Sequence, residues 1–176
     1  MLREHRRFLI VDEIVGSMLV NFPVNVAIAW FLFHSVARVP LWGWTSIAAD
    51  TVVTAFMLPF LTAFAATRVA RARVASGKLP SLPRVATFAW LPHSSAQRGA
   101  LVGAAAIGLA AAPVVGGFVL VGPPTLSLWT FIWFKAIFAT ILGVLVTPLF
   151  GWWGLCDVGQ PTSETTVRNP LDPNLG

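Results

Sequence analysis

LSLWTFIWFKAIFATILGVLVTPLFGWW, residues 126–153, holds a single charge, Lys135, in its whole length. A hydrocarbon core of roughly 30 Å takes about 20 helical residues to cross, so this run is long enough to span it. Three more runs qualify: about Ile14 to Phe33, Thr45 to Thr67 and Gly99 to Val121. None has the alternation of a barrel strand, and lipid admits only helices and closed barrels. The sequence therefore predicts an all-α membrane protein, a bundle of four transmembrane helices forming one domain over residues 1–155.

The composition agrees. Hydrophobic residues make up 56% of the chain and charged ones 11%, with a mean hydropathy of +0.76. A soluble surface commonly needs about a quarter of the residues charged. The net charge of +5 sits beside apolar runs, which suits anionic lipid headgroups and argues against nucleic acid. Cys156 is the lone cysteine, so an internal disulfide framework is excluded. Met1 to Arg7 has the charge of a signal-peptide start, but Asp12 and Glu13 interrupt the apolar run that follows. An uncleaved first span is expected.

Basic residues set the orientation. Arg68, Arg71, Arg73, Lys78, Arg84 and Arg98 fall between the second and third spans with no acid among them, and Arg3, Arg6 and Arg7 precede the first. The other side has Arg38 and an uncharged Gly122-Pro123-Pro124. Both termini and a central loop, 70–98, are expected in the cytoplasm. The middle of that loop, Leu82 to Pro92, is apolar enough either to rest on the membrane or to pack on helix ends as a linker. Residues 156–176 read as a flexible cytoplasmic tail.

Two charges fall within spans. Asp50 lies roughly 8 Å and Lys135 roughly 13 Å from the outer side at 1.5 Å per residue. Each costs about 2.5–3.5 kcal/mol on insertion scales, so such groups face protein or water. Three arrangements remain open: a buried ion pair, a charged site lining a cavity open to the outside, and a snorkelling lysine beside an interfacial carboxylate. Glu13, Ser17, Asn21 and Asn25 recur every four residues along the first span, with Pro23 among them. Such a stripe serves as interhelical glue or as a hydrophilic path. His34 lies within possible reach of Asp50, but no metal-ligand spacing accompanies it.

Gly99, Gly103 and Ala106 form a small-residue ridge with Ala110 on the third span, and Gly108, Ala112 and Gly116 form another. The fourth span adds Ala136, Ala139 and Gly143. These allow close helix packing within the chain or between copies. Trp30, Trp42, Trp44 and Trp129 mark one membrane boundary and Trp90, Trp152 and Trp153 the other. A shift of 85 positions lays Trp44-Thr45 over Trp129-Thr130 and Asp50 over Lys135. A parallel two-plus-two repeat would follow, with its axis along the membrane normal.

The run Val39-Pro40-Leu41-Trp42-Gly43-Trp44-Thr45-Ser46-Ile47-Ala48-Ala49-Asp50, with Leu58-Pro59-Phe60-Leu61-Thr62, Phe134-Lys135 and Val146-Thr147-Pro148, resembles uncharacterised bacterial four-span integral membrane proteins. The resemblance implies a multi-pass protein of the bacterial inner membrane and brings no established activity. The residues themselves offer no nucleophile–base pair, phosphate loop or metal cluster, so no catalytic residue and no cofactor are expected. A non-enzymatic scaffold or accessory subunit, as a homo-oligomer or in a larger membrane complex, is the first reading. A small proton- or ion-coupled transporter using Asp50 and Lys135 is the alternative.

Overall fold

A computed structural model describes residues 13–78 and 94–158. The basic N-terminal residues before Glu13, the segment Leu82 to Pro92 with Trp90, and the tail after Val158 lie outside the described residues, as do the side chains of Glu13 and Val158. The elements are α1 (Glu13–Phe33), β1 (Arg38–Pro40), α2 (Ile47–Ala75), α3 (Ser95–Ala106), a π-helical turn (Ile107–Ala111), α4 (Ala112–Val121), β2 (Thr125–Ser127) and α5 (Leu128–Val158). The segment from α3 through α4 is continuous, so four helices are long and apolar enough to cross a membrane.

All four spans match their expected places, but their ends differ. The second helix runs on to Ala75 and the third begins at Ser95. Arg71, Arg73 and Arg98 are therefore helical, not loop residues as the polarity of 70–98 implied. The fourth helix starts at Leu128 and carries Cys156 and Asp157, which the sequence reading placed in the tail. Long basic side chains let a helix continue past the hydrocarbon edge, because their heads reach water while the backbone stays paired.

The π-helical turn has a local cause. Pro113 sits just after it, and a proline ring in a regular helix clashes with the carbonyl four residues back. Widening the preceding turn relieves that clash, and the Ala112 N–H reaches back to the Ile107 carbonyl instead.

Two strands complete the fold at one end. β1 and β2 pair antiparallel, with Arg38 opposite Ser127, Val39 opposite Leu126 and Pro40 opposite Thr125. Val39 and Leu126 bury beneath this short ladder with Ala29, Phe33, Ile47, Phe131 and Ile132. Nothing in the sequence pattern announced it, since three residues are too few to show a period.

The packing order is unusual. α1 lies on α5, α3 lies on α2, and α2 lies on α5, while the two spans of each half scarcely touch each other. The central core is small-sided: Ala55, Ala63, Ala66, Ala106, Ala111 and Ala139 meet Leu142, Val146 and Phe150. Such residues let backbones approach where burial of apolar surface gives no drive in lipid. The first glycine ridge is used here. A Cβ on Gly99 would meet the Phe60 Cα at 2.9 Å, and one on Gly103 the Phe56 carbonyl oxygen at 2.8 Å. A Cβ on Gly143 would strike the Asn21 side chain. At Gly108 and Gly116 it would meet nothing within 4 Å, so the second ridge faces outward.

Candidate functional site

The strand end holds the two charges that fall within the candidate spans. Gly43 takes a φ of +121°, which turns the chain so that Ser46 can cap α2. The Ser46 hydroxyl donates to the Gly43 carbonyl at 2.7 Å and accepts from the Ala49 N–H at 3.1 Å. This cap starts the helix just before Asp50 and places its carboxylate in the first turn, where the helix dipole favours negative charge. Lys135 reaches Asp50 from α5, and its Nζ donates to Asp50 Oδ1. Thr54, one turn on from Asp50, lines the same cavity as the pair. Both charged side chains are deeply buried, at 4% and 9% exposure. Of the three arrangements open from sequence, the structure has the direct ion pair, and both of its residues also line a cavity. His34 does not join it; its Nδ1 lies 3.0 Å from the Phe31 carbonyl and its ring lies beside Trp30.

The polar stripe forms a ladder on the α5-facing side of α1. Thr147 donates to Ser17 Oγ at 3.1 Å, and Asn21 Nδ2 donates to the same oxygen at 2.8 Å. Asn25 Nδ2 donates to the Asn21 main-chain carbonyl at 2.9 Å. Ser17 and Asn25 are buried, and Asn21 half-buried. Glu13 heads this helix, with its side chain outside the described residues.

A groove runs beside this ladder, between α1 and α2, with α5 as its floor. Near the ion pair it holds a cavity of about 250 Å³ lined by Asn21, Asn25, Thr54, Thr62, Asp50 and Lys135 among apolar neighbours. Towards the other end a second cavity of about 310 Å³ has Gly16, Ser17, Ala66 and Thr147 in its walls. Asn21 and Thr62 line both.

The opposite end has a cluster that sequence reasoning missed. Arg98 forks onto Asp157, Nη1 to Oδ2 at 2.9 Å and Nη2 to Oδ1 at 2.8 Å. Arg71 adds a contact to Oδ2 at 3.1 Å. One carboxylate thus joins α2, α3 and α5. Arg98 is only 3% exposed and lies 5.8 Å from the Trp153 ring centre. Trp153 is buried there and does not stand as a boundary anchor, and its Nε1 and the Thr67 hydroxyl are buried without a partner among the described residues. At the strand end, by contrast, Trp44 is 99% exposed and Trp30 stacks on Trp129 at 5.6 Å.

Among the described residues no three His, Cys, Asp or Glu side chains converge. Comparison with protein families, curated proteins and solved structures finds no match to the chain.

The cluster at Asp157 yields a graded expectation. Asp157→Ala leaves the buried Arg98 without its carboxylate and should destabilise by about 3 kcal/mol or more. Arg71→Ala removes a half-exposed partner and should change stability by about 1 kcal/mol or less. Thermal unfolding of the purified protein in detergent checks the ranking; equal effects would contradict it.

Proposed function

We propose that the chain is a non-enzymatic, multi-pass protein of the bacterial inner membrane that acts as a scaffold or accessory subunit. The direct Lys135–Asp50 pair carries this reading. Charges at membrane depth mark functional sites by default, but here they neutralise each other while joining α2 to α5. A site for a coupling ion needs a charge left available to it. The outward-facing Gly108–Gly116 ridge and the exposed Leu109 and Leu120 beside it supply a face for a second copy or a partner span.

The same reading puts both termini in the cytoplasm. Among the described residues Arg68, Arg71, Arg73, Lys78 and Arg98 gather at one end of the helices and Arg38 alone at the other, which supports that sidedness. It also takes the chain as a parallel two-plus-two repeat. Exchanging the halves turns the α1–α5 contact into that of the third span with α2 and returns α2–α5 to itself, as the packing has it. Asp50 and Lys135, 85 positions apart, meet, as equivalent positions close to a two-fold axis would. The repeat is imperfect, because β1 is followed by a turn over 41–46 whereas β2 runs straight into α5.

The ion-coupled transporter remains the second reading, favoured by the cavity that both charged residues line. Proteoliposomes separate the two. The scaffold reading expects no proton or cation flux above that of empty liposomes, and photo-crosslinking from position 109 in cell membranes should give one adduct of defined mass. Flux that Asp50→Asn abolishes would replace the scaffold with the transporter.

A further inference from the structure

The groove between α1 and α2 is apolar along most of its length; its polar lining is the Asn21 and Asn25 amides, the hydroxyls of Ser17, Thr54, Thr62 and Thr147, the Asp50–Lys135 pair at one end and Arg73 at the other. Asn25 is 93% buried, at 7% exposure, and lines the groove. Its Nδ2 has the Asn21 carbonyl, while its Oδ1 receives no hydrogen bond among the described residues. Asn21 Oδ1 is in the same position, its Nδ2 being given to Ser17. An amide oxygen in lipid without a donor is costly. Two lie in succession along one wall, facing a space large enough for a chain.

The charge of the site is also fixed. Asp50 and Lys135 cancel, so the cavity beside them has no net charge to match with a cation or an anion. What the groove lacks is a neutral donor on an apolar body. Its length suits one: the wall from Val53 to Val69, which lines both cavities, covers roughly 24 Å of helix. Because α1 and α2 scarcely touch, the groove is reached sideways from the lipid.

We propose that this groove is a binding site for one neutral long-chain amphiphile, whose hydroxyl head donates to the Asn25 side-chain oxygen and whose chain lies along α2. The inference goes beyond the scaffold reading and does not depend on it.

The test compares oleyl alcohol, oleic acid, oleylamine and the parent hydrocarbon, each added at equal concentration to the purified full-length protein in detergent. Retention is read by native mass spectrometry and by thermal shift. Oleyl alcohol should be retained at one per chain, more tightly than the other three. Asn25→Leu should weaken it about tenfold, the value of one hydrogen bond to a buried acceptor, and leave the hydrocarbon unchanged. Gly16→Leu, where an added Cβ meets nothing within 4 Å, fills the far cavity and should weaken all four. It also serves where Asn25→Leu fails to fold. Oleyl alcohol held no better than the hydrocarbon, or indifferent to both substitutions, overturns the proposal. Tighter retention of the acid or the amine overturns it as well, because the site would then be charged. Neither result bears on ion flux, so the scaffold reading stands or falls separately.

Discussion

Replacing Lys135 with Met should destabilise the folded protein by about 3–5 kcal/mol, the cost of leaving a buried carboxylate without its partner. Asp50 sits in a first helical turn, and among the described residues Lys135 is the side chain that donates to it. Asp50→Asn should cost less. The lysine it strands has a long stem that can carry the charge towards the boundary, whereas a short aspartate cannot move. Removing both charges should restore the fold: Asp50→Leu with Lys135→Met is expected to be neutral or more stable by about 1–4 kcal/mol, as for other buried pairs exchanged for packed apolar groups. The midpoint of SDS-driven unfolding in mixed micelles measures all three variants. A double variant as damaged as Lys135→Met would mean that the two residues matter separately and that the pair is not the lock.

The second large effect concerns backbone approach. Gly99→Ala with Gly103→Ala puts two methyl groups where the main chain of α2 already lies, 2.9 Å from Phe60 Cα and 2.8 Å from the Phe56 oxygen. Main chain cannot swing aside as a side chain can, so the third span must move off α2. Overpacking of this kind costs about 1–3 kcal/mol per site. The two neighbours act on one interface, so the total should lie near 2–6 kcal/mol without strict additivity. Gly108→Ala with Gly116→Ala is the matched control. Those positions face open space, and alanine is the better helix former by about 1 kcal/mol per site. The monomer should be unchanged or slightly more stable. Equal destabilisation by both pairs would show that helix approach at Phe56 and Phe60 is not what the first ridge provides.

How much of this was legible beforehand depends on the physics behind each feature. The spans were readable because lipid tolerates no unpaired backbone, so length and hydropathy suffice. The Asp50–Lys135 pair was open to inference because an isolated charge there is costly and the chain offers each few partners. The helix ends were misjudged at Arg71, Arg73 and Arg98, where charge was taken as a stop although a basic side chain need not end a helix. That error hid the Arg98–Asp157 fork, whose acid was assigned to a tail. Continuity of the apolar run through Leu155 and Cys156 was the signal that could have kept Asp157 on α5. The groove was not readable at all. These helices are apolar on nearly every side, so periodicity does not say which neighbour each one meets, and the groove exists because α1 chose α5 over α2.

The cross-half packing also sets a timetable for the chain while it is being made. Asp50 is synthesised 85 residues ahead of the lysine that neutralises it. At about 5–20 residues per second of synthesis, it waits roughly 4–17 s. Throughout that interval α1 has no α5 to lie on and β1 has no edge to pair with. The first half is therefore an unfinished insertion intermediate, with an acid exposed to lipid and a strand open to any other chain. Its safe passage falls to the insertion machinery that shelters it, and slow or stalled translation within the second half should be more damaging than the same delay after Lys135 has emerged.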